Sequence, residues 1–151
     1  MKTNVTFSGD KALKAQFRRL KGASPSIVTE FVEVIVLATH EKAVRGIQRG
    51  PASGFAYEKS DPDRTHIASA PGEYPMSDTG TLASSIQFEL PARSAKPQGR
   101  VGTNLMYGRY LEFKLPYQGG RPWLSRAFNE AVRGGNRRLK RIFEQYTDKA
   151  T

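Results

Sequence analysis

Apolar positions along this chain change period near its middle, from helical spacing to alternation. Leu13, Phe17 and Leu20 fall at i, i+4 and i+7, with Lys11, Lys14, Arg18 and Arg19 filling the rest of the circumference. That spacing predicts a short amphipathic helix behind the capping residues Ser8-Gly9-Asp10, ending near Gly22. Ahead of it, Val5 and Phe7 flank Thr6, enough for a short strand or an extended arm. Ser24-Pro25-Ser26 opens a second helix, with a serine as cap and proline in the first turn. From Ile27 to Arg49 only Gly46 interrupts it, so at about 1.5 Å per residue it is roughly 35 Å long. Ile27, Val28, Phe31, Val34, Ile35 and Ala38 trace its stripe, while Val32, Val36 and Leu37 add apolar surface on other sides. Such breadth predicts burial on two faces, by the chain's own sheet and by a neighbouring subunit. The β-branched Val28, Val32, Val34 and Val36 leave a strand as the alternative there.

The stretch from Ala70 to Leu90 is the hinge between the two periods. Pro71-Gly72, Pro75 and Asp78-Thr79-Gly80 are turn chemistry, because proline fixes φ and lacks an N–H while glycine opens positive φ. A turn of helix over Thr79–Ser85 is expected next, and then Ile86, Phe88 and Leu90 alternate with Gln87 and Glu89 as in a half-buried strand. Residues 91–98 read as a hairpin loop and 99–103 as the return strand. In the segment that follows, Met106, Tyr110 and Phe113 stand at i, i+4 and i+7, which suits a short helix, with an extended segment from Leu111 as the alternative. After a loop at 116–120, Arg121-Pro122-Trp123-Leu124 begins a closing helix with Pro122 in its first turn. Leu124, Phe128, Ala131, Leu139, Ile142, Phe143 and Tyr146 form its stripe. Gly134-Gly135 interrupts it, at about 1 kcal/mol per glycine relative to alanine, so a kink or two consecutive helices is expected.

The least regular part is 50–77. A loop that long inside a compact domain is usually functional or mobile. Phe55, Tyr57 and Tyr74 give it aromatic anchors, so it either forms a short hairpin or orders against a partner during assembly, and the second is favoured. The whole reads as a single domain, residues 1–151, of α+β class. A small, mainly antiparallel sheet packs against a long helix and a C-terminal helix, with a long central loop.

Charge and composition exclude several functions. With no cysteine there is no disulfide framework, thiolate metal site or thiol nucleophile. The N-terminal MKTNVTFSGDKALK has no apolar core of a secretory signal. The most apolar run, Phe31–Ala38, falls far short of the roughly 18 residues that span a bilayer, so no membrane role is expected. The net charge of +10, from 24 basic and 14 acidic residues, attracts polyanions. Arg133, Arg137, Arg138, Lys140 and Arg141 make the segment 132–151 the most basic, as a solvated face or as a contact for phosphates or an acidic partner.

Catalytic chemistry is not evident. His40 has only Glu41 beside it. His66 lies near Glu58, Asp61 and Asp63, which lack calcium-loop spacing. Ser84-Ser85 has no nucleophile-elbow glycines, and no glycine-rich segment ends in Lys-Ser/Thr. A non-enzymatic protein without catalytic residues, metal or cofactor is expected, with a hydrolase using His66 and a loop carboxylate as the weakest rival.

Three stretches in series carry a resemblance: SAPGEYPMSDTGTLASSI at 69–86, VGTNLMYGRYLEF at 101–113 and RPWLSRAF at 121–128. Together with the long helix before them, they resemble the tailed-bacteriophage neck and tail-component family typified by the Hong Kong phage tail-completion (head–tail joining) protein. Lys114 stands where that family commonly has glycine, Trp123 replaces its phenylalanine, and Gly134-Gly135 interrupts a helix it keeps continuous. The resemblance implies a structural virion protein in the neck or tail, assembled in the host cytoplasm as a homo-oligomeric ring, hexamer or dodecamer. Its partners would be other neck, connector and tail-tube proteins, with non-specific contact to packaged DNA. Loop 50–77 and the 91–98 hairpin would then make intersubunit or lumen contacts. Interface residues expected on this reading are Phe31, Ile35, Phe55, Tyr57, Tyr74, Tyr107, Glu112, Trp123, Arg137 and Arg141. The alternative from another class is a basic nucleic-acid-binding module.

Overall fold

A computed structural model describes residues 25–60, 63–94 and 96–148. The expected N-terminal strand and the amphipathic helix around Leu13–Leu20 lie outside them. Five helical segments and four strands follow in the order α1 (Pro25–Gln48), β1 (Ala56–Ser60), β2 (Asp63–Ile67), α2 (Thr81–Ser85), β3 (Gln87–Glu89), β4 (Arg100–Gly102), α3 (Met106–Phe113), a 3₁₀ turn (Pro116–Gln118) and α4 (Leu124–Asp148). The class is α+β as expected, with the strands divided between two antiparallel ribbons, β1–β2 and β3–β4.

The apolar repeat of α1 prevails over its β-branched residues, and no strand forms there. Two threonines on its buried side, Thr29 and Thr39, donate their hydroxyls to the carbonyls of Pro25 (2.8 Å) and Ile35 (2.7 Å). Back-bonding of this kind lets a helix bury a hydroxyl without leaving it unsatisfied. The principal partner of α1 is α4. Ile27, Phe31 and Ile35 meet Val132, Leu139 and Ile142, while Ala43 and Ile47 meet Leu124 and Ala127, so the two helices run antiparallel. Part of the second face of α1 is covered from within the chain, where Val36 packs under Gly99 of the β3–β4 turn and the His40 ring meets Phe88 at a tilt, 4.8 Å between centres, while Leu37 stays exposed.

α4 runs as one helix through Gly134 and Gly135, so the expected alternative of two consecutive helices is corrected. A Cβ on Gly135 would stand 2.6 Å from Ile35 Cδ1, whereas nothing lies within 4 Å of one on Gly134. Close approach of α1 explains Gly135; nothing in the structure explains Gly134. The helix begins at Leu124, leaving Pro122 ahead of it instead of in its first turn.

The segment 50–77 contains a regular hairpin. β1 and β2 pair from Ala56↔Ile67 to Ser60↔Asp63. The strands pack on no helix to any extent, so the hairpin projects from the body. Its inner face is tied down at one point, where Asp78 accepts hydrogen bonds from Lys59 and Arg64 and lies 3.6 Å from His66 Nδ1.

Candidate interaction surfaces

The segments quoted for the phage resemblance, 69–86, 101–113 and 121–128, meet in space although up to 54 residues separate their contacts. Arg121 joins the first to the third. Its Nε and Nη2 donate to the carbonyl of the fully buried Ser69 (3.1 and 2.7 Å), its Nε also reaches Ser69 Oγ (3.0 Å), and its Nη1 donates to Gly119 (3.0 Å). Ser85 and Thr103 join the first to the second through their hydroxyls at 2.6 Å. Glu112 joins the second to the third. Its carboxylate accepts from the amides of Trp123 (2.8 Å), Leu124 (2.7 Å) and Ser125 (3.0 Å), the free donors that open α4. An anion at that end also meets the positive pole of the helix. Trp123 is buried, and its indole N–H donates to Gly108 at 2.9 Å. Gly108 is required there because a Cβ would stand 2.9 Å from both Leu82 and Thr103.

Four expected interface residues are engaged within this chain. Phe31, Ile35 and Trp123 fill this chain's own core, because α4 and α3 supply the apolar surface expected from a neighbour. Glu112 is occupied as a cap. Tyr74 is half-buried beneath the Arg126 guanidinium, 5.0 Å from its ring centre, and a Cβ on Gly46 would touch its ring. Its hydroxyl is buried without a well-formed hydrogen bond, and burial, with the Glu130 carboxylate adding, pushes its pKa up. The remaining expected residues, Phe55, Tyr57, Tyr107, Arg137 and Arg141, are exposed.

Three exposed regions stand out among the described residues, apart from the single exposed apolar side chains Leu37, Phe88 and Leu90. Phe55 (76% exposed) and Tyr57 lie on the β1 side of the hairpin. On α3, Met106, Tyr110 and Phe113 form an outward stripe that Leu115 and Tyr117 extend. The spacing of that stripe was legible, but its outward direction was not. Along α4, Arg133, Arg137, Arg138 and Arg141 are exposed and make no ion pair among the described residues, while Lys140 approaches Glu144 at 3.9 Å. No group of three or more acidic or histidine side chains able to hold a metal occurs among the described residues. A shallow depression lined by Thr103, Gly108, Glu112, Phe113 and Trp123 lies over the α3–α4 junction, and Glu112, its one carboxylate, is already committed. His66 faces Asp78 together with two cations, which suits a fastening more than a proton-transfer pair. No described helix is long and apolar enough to cross a membrane.

Comparison with protein-family models, with curated proteins and with solved structures finds no match.

Proposed function

We propose that this protein is a structural, non-enzymatic subunit of a tailed bacteriophage particle, a ring-forming neck or tail-completion protein that joins tail to head. The observation that carries the assembly role is the amount of large apolar surface one chain leaves uncovered, on α3 and on the hairpin. Six side chains from Met106 to Tyr117, half exposed or nearly so, offer roughly 600 Å² at ~100 Å² each. That is the upper end of the range for the largest apolar patch on a typical monomer, about 300–600 Å² and often functional, and a standard interface takes about 800 Å² per partner. The phage setting rests on the three sequence stretches. Their convergence on one buried junction supports reading them as the signature of a fold and not of a catalytic site. Localisation to the virion, with neck and tail proteins as partners, follows from that reading.

Cryo-electron microscopy of the particle from the source tests it. Density for this chain at the neck, with its copy number and neighbours, is the expected result; a fully assigned neck without it refutes the proposal.

The exposed arginines of α4 favour a second reading, a nucleic-acid-binding module. Arg133, Arg137 and Arg141 recur every four residues, about 6 Å apart along the axis, on the side away from α1. Phosphate binding by this row would weaken steeply with added salt, and affinity for duplex DNA independent of salt would refute it.

A further inference from the structure

The two projecting surfaces of this chain are unlike each other, and each carries what the other lacks. Met106, Tyr110 and Phe113 are 60%, 56% and 59% exposed along the outer side of α3. At about 100° per residue, Arg109 and Lys114 flank that stripe on opposite sides. Neither makes an ion pair among the described residues, and Lys114 lies over the Tyr110 ring at 6.0 Å. The α3 surface is thus an apolar strip bordered by two free cations.

The hairpin has the reverse character. Its register puts Ala56 and Ile67, Glu58 and Thr65, and Ser60 and Asp63 on one face, all exposed. Lys59, Arg64 and His66 point the other way, toward Asp78. Both hairpin cations are therefore drawn inward, and the outer face keeps Glu58 and Asp63, which make no ion pair among the described residues, with Ile67 as its apolar part. An acidic face is uncommon territory on a chain of net charge +10.

We propose that copies of this chain associate head to tail, the outer face of the β1–β2 hairpin of one copy lying across the Met106–Tyr110–Phe113 stripe of the next. Glu58 and Asp63 then approach Arg109 and Lys114, and the apolar strip is covered by Ile67 and the hairpin backbone. Symmetric pairing is disfavoured on both surfaces, since α3 against α3 gathers four cations and hairpin against hairpin gathers four carboxylates. Contact between two different patches is heterologous, the type that closes into rings when its rotation permits. The inference rests on the assembly role proposed above and names the surfaces that would perform it.

Two variants of the full chain test it. Tyr110→Ser with Phe113→Ser removes the apolar α3 stripe without adding a carboxylate and leaves the hairpin intact; Glu58→Lys with Asp63→Lys reverses the hairpin and leaves α3 intact. All four positions are exposed, and circular dichroism with a thermal melt checks that each variant folds. Sedimentation velocity across a concentration series then reads association. The parent chain is expected to form species larger than a dimer, and each variant alone to weaken self-association by about tenfold or more. An equimolar mixture of the two is expected to give a 1:1 complex that grows no further, because only one compatible pair of surfaces remains. A parent chain that stays monomeric, a variant that assembles like the parent, or a mixture that gives no complex would each overturn the proposal. If a ring of this chain is seen in the particle while the mixture gives no complex, the docking fails and the virion role stands. A 1:1 complex from a chain absent from the particle has the opposite meaning.

Discussion

Replacing Glu112 with alanine removes one carboxylate and leaves three backbone amides at the start of α4 without their acceptor. Charge-assisted hydrogen bonds are each worth about 1.5–3 kcal/mol when nothing replaces them. Glu112 is only half-buried, however, and water can reach part of the vacated site. The net loss is better built from a cap, about 0.5–2 kcal/mol, and the helix-pole attraction, about 0.3–1 kcal/mol. A total of about 2 kcal/mol corresponds to a melting temperature lower by roughly 4–8 °C in a domain of this size. Glu112→Gln keeps the shape and one acceptor but brings an N–H₂ against N–H groups, so it should fall between alanine and the parent. Glu41→Ala serves as control: Glu41 pairs with Arg45 on an exposed helix face at 2.9 Å and should cost no more than about 0.5 kcal/mol. Differential scanning calorimetry at one fixed protein concentration reads all three, which keeps any contribution from association constant. A Glu112→Ala melt within about 1 °C of the parent would refute the capping role, since that shift corresponds to less than ~0.5 kcal/mol.

Arg121→Lys keeps the charge but cannot reproduce a fork that reaches the Ser69 carbonyl with two nitrogens and Gly119 with a third, so urea unfolding should show a loss of about 1–3 kcal/mol. Gly134→Ala and Gly135→Ala should move the melt in opposite directions. The first gains about 0.5–1 kcal/mol of helix propensity in open space, while the second overpacks Ile35 at a cost of about 1–3 kcal/mol, and an equal gain from both would show that α1 and α4 are not closely packed there. The hydrogen bond from Lys59, with the charges of Arg64 and His66, holds the Asp78 carboxyl below its ordinary range. A depressed carboxyl contributes above its unfolded value, about pH 4, and its contribution disappears as pH falls through the lower folded value. Amide resonances at Lys59, Arg64 and His66 should therefore shift in that acidic window, and Asp78→Asn should remove the part of that shift that the hairpin's own Glu58 and Asp63 do not cause.

Much of the fold was legible locally. The helical repeat in Pro25–Gln48 and the apolar stripe of the closing helix each describe what one segment wants to bury, and the corresponding helices formed. The alternation around Phe88 gave a strand, but only over Gln87–Glu89, and it is exposed instead of half-buried, with Phe88 and Leu90 left outside the core. Turn residues were equally direct, since Gly72 and Gly80 take the positive φ values of 84° and 77° that their neighbourhood requires. The hairpin inside 50–77 stood as an alternative because its strands, AYEKS and DRTHI, are polar on both faces and carry little alternation.

Only the tertiary structure decided which apolar surfaces found partners. Periodicity marks a stripe but says nothing of what will face it. The stripe of α1 therefore looked fit for a neighbouring subunit and is filled by α4, while the equally regular stripe of α3 is left outside. The same holds for the polar residues. Glu112, Arg121 and Asp78 act on groups 11–13, 52 and 14–19 residues away, distances at which the order of residues carries no geometry until the chain has folded. Local preference determined the elements of this protein, and long-range contact determined which of their faces remain free to meet another molecule.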